Sequence, residues 1–359
     1  DDTSIIKVIT KINPQRVFGA DVISRIDHCS KNGVNALCEA VKSAVNEMIT
    51  DITDALAISS VPKMLVSGNT TMLHIFFGVD CSSMGISPYT PSFTEAMSYN
   101  GEALEIGRVE QIQSLPCISA FVGADIVAGM NHIGIPKNGQ YALLVDLGTN
   151  AEVVLFNKDK AYATAAAAGP CFEGANISSG MSAIRGAISA YMSDGSYKVV
   201  GDTEPCGLCA TGLVDLISFL VKNEVIDESG YMEDEELKVA NGVTLTQKDI
   251  REFQLAKSAV LSAIICLIKK AGVSFEDIEA LYVAGGFSAS IDKDNAAFVG
   301  LIPNELTERF VPVNNSSLLG TVKYACDKVE LSVFTANAEY VDLSCDPTFS
   351  ELFFENMEF

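Results

Sequence analysis

The sequence predicts an α/β fold, organised either as two domains or as one domain with two lobes. The chain has 359 residues, of which 48% are hydrophobic and 19% are charged, a balance typical of a globular protein with a large core. Apolar residues recur at helical spacing over 34–57 and 246–270. Several shorter apolar runs end at turns rich in Gly, Asn and Thr that lead into a helix, and this alternation of strand and helix predicts the α/β class.

Charge and composition disfavour several classes of partner. The chain has 24 basic and 46 acidic residues and a formal net charge of −22, so its surface repels DNA, RNA and anionic lipids. The N-terminal residues lack a signal-peptide pattern, and no apolar run is long enough to span a bilayer. We therefore expect a cytoplasmic protein with neither a nucleic acid nor a membrane as partner.

Ten cysteines are scattered singly along the chain, apart from Cys206 and Cys209. Because nothing indicates secretion, the thiols are predicted to be reduced and to pack as small hydrophobic groups. A metal site at the Cys206 and Cys209 pair is the alternative interpretation, although no second ligand pair follows at zinc-like spacing.

The first part of the chain is predicted to alternate strands and helices. In order, the elements are a strand over 5–12, helices over 22–26 and 34–57, a strand over 63–67, a helix over 72–77, a strand over 117–122 and a helix over 126–132. Asn69, Thr70 and Thr71 stand where a strand meets a helix, and free N–H groups at a helix start attract anions. N-capping by Thr70 or Thr71 alone is the alternative.

Asp125 follows the predicted strand over 117–122, at the strand end where open α/β sheets place their chemistry. Capping of the next helix is the alternative role for this residue. The segment Gly134–Gln140 then collects Gly, Pro and Asn between two apolar segments, which predicts a boundary. The chain is accordingly divided into regions 1–139 and 140–359.

The second region opens with a predicted hairpin over 143–156 whose turn is acidic and small. The residues concerned are Asp146, Gly148, Thr149, Asn150 and Glu152. Gly148 lets backbone N–H groups approach anionic oxygens, Thr149 and Asn150 add neutral donors, and the acids can hold Mg²⁺ through its waters. A phosphate-binding turn and an ordinary hairpin turn both fit this pattern.

Two further turns in the second region combine glycine with functional side chains. Gly169 and Glu173 follow a run of small residues over 163–168, which indicates either a functional segment or a close helix–strand crossing. Gly285, Gly286 and Phe287 follow a strand, where paired glycines let a flat base or ribose approach or simply make a tight turn. The other predicted elements are helices over 213–221, 246–270 and 318–326, a strand over 280–284, and a final strand and helix within 333–359. The helix over 246–270 is predicted to start at a capping-box pattern of Thr246 and Asp249 and to stop at Gly272.

Several segments occur together in a distinctive order. They include VSGNTTMLHI, CISAFVGADI, LLVDLGTNAEVVLF, AAGPCFEGANISSGM, GLCATGLVD and LYVAGGF. This set resembles the reductive activators of corrinoid proteins, in the superfamily of acetate and sugar kinases, heat-shock chaperone ATPases and actin. The resemblance covers nearly the whole chain. It implies a two-lobed actin-like ATPase (ribonuclease H-like) fold with lobes at 1–139 and 140–359, and with ATP and Mg²⁺ in the cleft between them.

The resemblance, together with turn geometry, implies roles for the residues named above. The implied nucleotide-binding residues are Asn69, Thr70, Thr71, Gly148, Thr149, Asn150, Gly169, Glu173, Gly285, Gly286 and Phe287. Of these, 148–150 would cradle phosphate, 285–287 would border adenosine, and Glu173 would contact ribose or the lobe interface.

The implied catalytic residues are Asp146, Glu152 and Asp125. Asp146 would hold Mg²⁺ or its waters, and Glu152 or Asp125 would orient the attacking water.

The resemblance also implies a partner, a corrinoid protein whose cobalt has drifted from Co(I) to inactive Co(II). Binding and hydrolysis of ATP would make the uphill return to Co(I) possible. Such activators usually carry an N-terminal iron–sulfur domain and a phosphate hairpin of the DIGTT type, and neither is in this sequence. The chain is therefore either part of a longer activator or a degenerate relative. We expect the former, with the iron–sulfur cluster and the electron-donor contact in the missing domain, and the family suggests a homodimer.

Two other functions remain open from the sequence. A small-molecule kinase of the same superfamily would need an acceptor pocket and a carboxylate on the acceptor hydroxyl, and no acceptor signature is apparent. A non-enzymatic scaffold would close its lobes on ATP and change a partner interface without turnover.

Overall fold

The computed structural model describes residues 5–327 and 329–359, and it forms two compact units. The first unit consists of the residues up to Ile135 together with Ser316–Ala338, and the second of Pro136–Asn315 and Glu339–Phe359. The division after Ile135 lies within the segment where the sequence places its boundary, whereas residues 316–338 return to the first unit. The first four residues of the predicted first lobe, and Lys328, lie outside the described residues.

Helices and strands are numbered in chain order over the described residues. The helices are α1 (Val22–Asn32), α2 (Asn35–Leu56), α3 (Thr70–Phe77), α4 (Ala124–Ile133), α5 (Ala210–Lys222), α6 (Gln247–Ala271), α7 (Lys293–Phe298), α8 (Ser316–Asp327), α9 (Ser332–Thr335) and α10 (Pro347–Glu355). The strands are β1 (Val61–Val66), β2 (Ser98–Asn100), β3 (Val109–Ser114), β4 (Tyr141–Leu147), β5 (Ala151–Phe156), β6 (Ala161–Ala166), β7 (Ala187–Tyr191), β8 (Tyr197–Val199), β9 (Gly207–Leu208), β10 (Glu236–Ala240), β11 (Val243–Thr246), β12 (Ile278–Ala284), β13 (Phe310–Pro312) and β14 (Ala338–Tyr340).

The first unit contains a three-stranded sheet in the order β1-β3-β2, with β1 parallel and β2 antiparallel to β3. Helices α4 and α8 of this unit pack unusually closely. A Cβ atom added at Gly320 would lie 1.7 Å from the carbonyl oxygen of Ala128, so only glycine allows this approach. Asn131 Nδ2 donates to the carbonyl of Gly320 at 2.9 Å, and Lys323 Nζ donates to the carbonyl of Asn131 at 2.8 Å. These polar contacts hold α8 in the first unit although it lies far along the chain.

The second unit contains a six-stranded sheet in the order β13-β12-β4-β5-β6-β14. Strands β4, β5 and β6 form antiparallel hairpins, and β12 runs parallel to both β4 and β13. Alternate residues of β4, namely Leu143, Val145 and Leu147, join the apolar core that includes α5 and α6. Asp146 therefore points to the other face of the sheet, because successive side chains of a strand alternate.

Helix α6 follows the prediction closely. Thr246 and Asp249 form a capping box at its start, and Gly272 ends it in the left-handed conformation at a φ of 68°. The predicted helices 22–26, 34–57, 72–77, 126–132, 213–221 and 318–326, the strands 63–67 and 280–284, the hairpin, and the strand and helix of the tail are also confirmed, most with small shifts of their ends.

Two predicted strands are wrong. Residues 5–12 form no strand although the run is apolar. No described strand pairs with them, and Ile6 is 75% exposed. Residues 117–122 form a closed loop instead, in which the amides of Ile118 and Ser119 both donate to the carbonyl of Val122. In both places apolar composition was insufficient to predict a strand, because a strand also needs a neighbouring strand to accept and donate its hydrogen bonds.

Candidate functional site

Three turns of the second unit meet at one end of its sheet. The hairpin turn after β4 contacts the turn before Gly174, since the Thr149 amide donates to Glu173 Oε1 at 3.0 Å. The turn after β12 presses against β4, because a Cβ atom at Gly285 would lie 2.3 Å from the carbonyl oxygen of Leu147. The rings of Phe172 and Phe287 connect the other two turns, with centroids 5.6 Å apart. The turn at 169–174 thus contacts the turns at 148–150 and 285–288, and the latter also lies against Leu147 at the end of β4.

Two carboxylates stand beside these turns. Asp146 lies directly opposite Glu152 in the β4–β5 pair, and residues so paired share one face of the sheet. On its other side Asp146 is aligned with Ala284 of β12, so the end of the parallel strand borders the same place. Burial raises the pKa of Asp146 to about 6. A cation beside Asp146 would offset the cost of keeping this charge away from water.

The site has room and donors for a magnesium nucleotide. A Cβ atom added at Gly169 or Gly286 would meet no atom within 4 Å, so open space adjoins both turns. The Thr149 amide already donates to a carboxylate oxygen, so this turn offers a hydrogen-bond donor that suits an anionic oxygen. Mg²⁺ usually takes one or two carboxylates together with phosphate oxygens and waters. Asp146 and Glu152 can supply the carboxylates. In the described part of the chain, no three His, Cys, Asp or Glu residues cluster as a ligand set.

The ring of Phe287 packs into the core against Phe172. Its backbone and the neighbouring Gly286 are therefore what this turn offers to a ligand. Ser288 supports the turn, because its hydroxyl donates to the carbonyl of Gly285 at 3.0 Å. Nothing in the sequence pattern distinguished Ser288 from other small residues in the turn.

Asp249 is a supporting residue for which the sequence indicated only a helix-capping role. It is fully buried, and its Oδ1 accepts from both the amide (2.7 Å) and the hydroxyl (3.0 Å) of Ser178. Its Oδ2 completes the cap of α6 by accepting from the Thr246 amide at 2.8 Å. Asp249 therefore ties the loop after Glu173 to the start of α6. The capping pattern was visible in the sequence, but the bond to Ser178 joins residues 71 positions apart.

The first unit brings together Asn69, Thr70, Thr71 and Asp125. The turn before α3 contacts the start of α4, since the Ala124 amide donates to the carbonyl of Gly68 at 3.0 Å. The N-cap of α3 is Asn69, whose Oδ1 accepts from the Thr71 amide at 3.0 Å, so capping by Thr70 or Thr71 is wrong. Thr71 Oγ1 is buried and has no hydrogen-bond partner among the described residues.

Asp125 lies in the first turn of α4, whose N-cap is Gly123. Capping by Asp125 is therefore wrong, and so is its placement directly after a strand, since a loop precedes α4. His74, which the sequence did not single out, buttresses the neighbouring turn: its Nδ1 lies 2.8 Å from the Thr70 carbonyl, and its Nε2 accepts from the Ser92 amide at 3.0 Å. Burial lowers the pKa of His74, so the ring is neutral, with Nδ1 as the donor inferred from its partners.

The predicted site residues thus form two groups. The group in the second unit is Asp146, Gly148, Thr149, Asn150, Glu152, Gly169, Glu173, Gly285, Gly286 and Phe287. The group in the first unit is Asn69, Thr70, Thr71 and Asp125.

The two cysteines of the Cys206 and Cys209 pair differ in exposure. Cys206 is exposed, whereas Cys209 is buried with its Sγ 3.4 Å from the carbonyl oxygen of Ile188. Over residues 5–327 and 329–359, no helix has the length and apolar character that crossing a membrane requires.

Comparison with known proteins gives consistent matches. A family model described as "C-terminal domain of RACo the ASKHA domain" matches residues 140–359, and one described as "RACo middle region" matches residues 1–138. Among solved structures, "Reductive activator for corrinoid, iron-sulfur protein" matches with a TM-score of 0.84 and 29% identity, over 99% of this chain and 62% of that one. These matches confirm the actin-like α/β fold.

Two curated proteins are also similar. "Corrinoid activation enzyme RamQ" of Eubacterium limosum is 29% identical over 97% of this chain and 65% of its own length. The "Co(II) methylated amine-specific corrinoid protein reductase" of Methanosarcina barkeri is 25% identical over 87% of this chain and 63% of its own length. The chain therefore spans slightly less than two thirds of these relatives.

Proposed function

The chain belongs to the RACo family of reductive activators for corrinoid proteins, and we propose that it is the nucleotide-binding and partner-docking part of such an activator. The whole protein would return the cobalt of a corrinoid protein from Co(II) to Co(I) in an ATP-dependent reaction. The names of its relatives, an activation enzyme and a reductase, support an enzymatic role.

One observation carries the nucleotide half of the proposal. Three turns of the second unit lie beside the Asp146 and Glu152 pair, and the Thr149 amide of one turn already donates to an anionic oxygen. Backbone donors, open space and carboxylates are the parts that phosphate and Mg²⁺ require. An ordinary structural hairpin would not need a desolvated carboxylate at this position.

Each group of residues has a proposed task. Asp146 holds Mg²⁺ or its waters, and residues 148–150 donate to phosphate oxygens. Glu152 or Asp125 orients the attacking water, because hydrolysis of a phosphoanhydride needs positioning and charge neutralisation more than covalent help. Residues 285–287 border adenosine. The remaining proposed nucleotide contacts are Asn69, Thr70, Thr71 and Gly169, and Glu173 adjoins the phosphate-binding turn through its bond to the Thr149 amide.

The proposed reaction couples two events, hydrolysis of ATP and reduction of cobalt. Water attacks the γ-phosphorus, the bond to the bridging oxygen of ADP breaks, and the water proton passes to a carboxylate and then to solvent. One electron is added to Co(II) of the partner's corrinoid to give Co(I). Its donor would be an iron–sulfur group of the whole protein. ATP, when bound, supplies the free energy for this unfavourable electron transfer.

The test follows the cobalt oxidation state directly. The whole protein is mixed with a corrinoid protein in the Co(II) form and a low-potential electron donor, and Co(I) is followed by absorbance. We expect Co(I) to form with MgATP and not with MgADP, and we expect Asp146→Asn to abolish the ATP-dependent part. Equal reduction without nucleotide, or full activity of Asp146→Asn, would contradict the proposal.

A control separates the kinase alternative. ADP release is measured with a sugar or a carboxylic acid in place of the corrinoid protein. ADP that forms with such an acceptor, and is not increased by the corrinoid protein, would indicate a small-molecule kinase.

A further inference from the structure

Glu173 holds the hairpin amide on which the proposed phosphate site depends. Its Oε1 accepts from the Thr149 amide at 3.0 Å and lies 3.7 Å from the position of a Cβ atom added at Gly148. A carboxylate accepting from a backbone N–H makes a charge-assisted bond, stronger than one between neutral groups. The acceptor therefore resembles, in charge and in donor preference, the phosphate oxygen that residues 148–150 are proposed to bind.

The backbone on both sides of Glu173 is fixed. Phe172 is 4% exposed, and its ring contacts those of Phe253 and Phe287. On the other side Gly174 approaches Met181 so closely that an added Cβ atom would lie 2.5 Å from the Met181 amide nitrogen. The loop cannot easily shift at this position, so any movement of the carboxylate must come from rotation of the Glu173 side chain.

That rotation is sterically open. Glu173 is exposed, so its carboxylate can leave the amide and be hydrated without unpacking the core. Asp146 and Glu152 border the same turn region, so a further negative charge there also repels an incoming anion.

We propose that Glu173 is an internal competitor for nucleotide phosphate: its carboxylate must swing away from the Thr149 amide before a phosphate oxygen can accept the same hydrogen bond. This inference rests on the proposed nucleotide-binding function and specifies how that site opens. The ligand-free site is closed by the chain's own anion. The apparent nucleotide affinity is therefore the intrinsic affinity multiplied by the fraction of molecules in which the Thr149 amide is not bonded to Glu173.

Removal of Glu173 should change nucleotide affinity in the direction opposite to that expected for an ordinary ligand contact. If Glu173 bound ribose, Mg²⁺ or a magnesium water, its removal would weaken nucleotide binding. If it competes with phosphate, its removal strengthens binding. An amide held by Glu173 nine times in ten corresponds to a tenfold gain on removal, or about 1.4 kcal/mol.

The experiment measures binding by calorimetry with the whole protein and three probes, namely MgADP, inorganic pyrophosphate and adenosine. The variants are Glu173→Ala, which removes the competitor, and Glu173→Gln, which removes the charge but keeps an acceptor. Glu305→Gln changes an exposed glutamate outside the three turns and is the matched control. Thermal melting of each variant verifies that it is folded.

We expect Glu173→Ala to bind MgADP and pyrophosphate roughly tenfold more tightly than the unaltered protein, with Glu173→Gln between the two. Adenosine, which lacks phosphate, should bind all the proteins equally, and Glu305→Gln should match the unaltered protein for every probe. Amide hydrogen exchange gives a second readout. Without ligand, the Thr149 amide should exchange faster in Glu173→Ala, and pyrophosphate should slow it in every protein.

The outcomes separate the two claims. MgADP binding by the unaltered protein together with equal or weaker binding by Glu173→Ala would overturn the competitor role and leave the proposed function intact. An equal gain for adenosine would also overturn it, since the effect would not depend on phosphate. If neither the unaltered protein nor any variant binds MgADP or pyrophosphate, both the proposed function and the inference fail.

Discussion

Replacement of Asp146 by Asn is expected to stabilise the protein while removing its affinity for a magnesium nucleotide. Burial raises the pKa of this carboxyl from an ordinary value of 3.8 to about 6. In the folded state the proton is therefore retained to higher pH than in the unfolded state, and ionisation costs stability as the pH rises from 3.8 through 6. Each pKa unit is about 1.4 kcal/mol, so the ionised carboxylate costs at most about 3 kcal/mol above pH 6.

The expected difference between the variant and the unaltered protein grows with pH. Relative to the unaltered protein, the free energy of unfolding of Asp146→Asn should be higher by about 2 kcal/mol at pH 5 and by about 3 kcal/mol at pH 7.5. Urea unfolding followed by circular dichroism at both pH values measures this difference. MgADP should raise the melting temperature of the unaltered protein and leave that of Asp146→Asn unchanged, since a ligand stabilises only what it binds.

A matched control is Asp159→Asn, which changes an exposed aspartate in the turn between β5 and β6. Its free energy of unfolding should stay within about 0.5 kcal/mol at both pH values. If Asp146→Asn were no more stable than the unaltered protein at pH 7.5, the argument from desolvation would be wrong. If MgADP stabilised both proteins equally, the assignment of Asp146 to the metal would be wrong.

Two further predictions concern packing outside the site. Lys257 is 1% exposed, its ammonium donates to the Glu358 carbonyl, and burial lowers its pKa to about 8. Because the unfolded state binds the proton more tightly, the free energy of unfolding should rise by about 3 kcal/mol between pH 8 and 10.5 relative to that of Lys257→Met. Denaturant titrations at several pH values measure this rise, and parallel pH profiles for the two proteins would refute it. Gly320→Ala should lower the free energy of unfolding by about 3 kcal/mol or more, because the added methyl group meets the Ala128 carbonyl. Gly107→Ala is the control and should lower it far less, because the nearest atom to its added methyl group would be 3.7 Å away. Equal melting temperatures for the two variants would contradict the close approach of α4 and α8.

The local features of this protein follow from its amino-acid sequence alone. Gly148, Thr149 and Asn150 identify a tight polar turn because their conformational freedom and donors are properties of the residues themselves. The start and end of α6 were equally readable, since the capping pair Thr246 and Asp249 and the final Gly272 act within a few positions of one another. The motif order was also sufficient to indicate the family that the comparisons then showed.

Which distant groups meet depends on the folded arrangement of the chain. The tertiary structure excluded strands over 5–12 and 117–122, because strand formation depends on hydrogen-bond partners from elsewhere in the chain. It placed α8 in the first unit through a helix contact that only Gly320 permits. It also put the Glu173 carboxylate on the Thr149 amide, 24 positions away. No local pattern encodes such pairs, because their energies arise only when folding removes the groups from water and fixes their geometry.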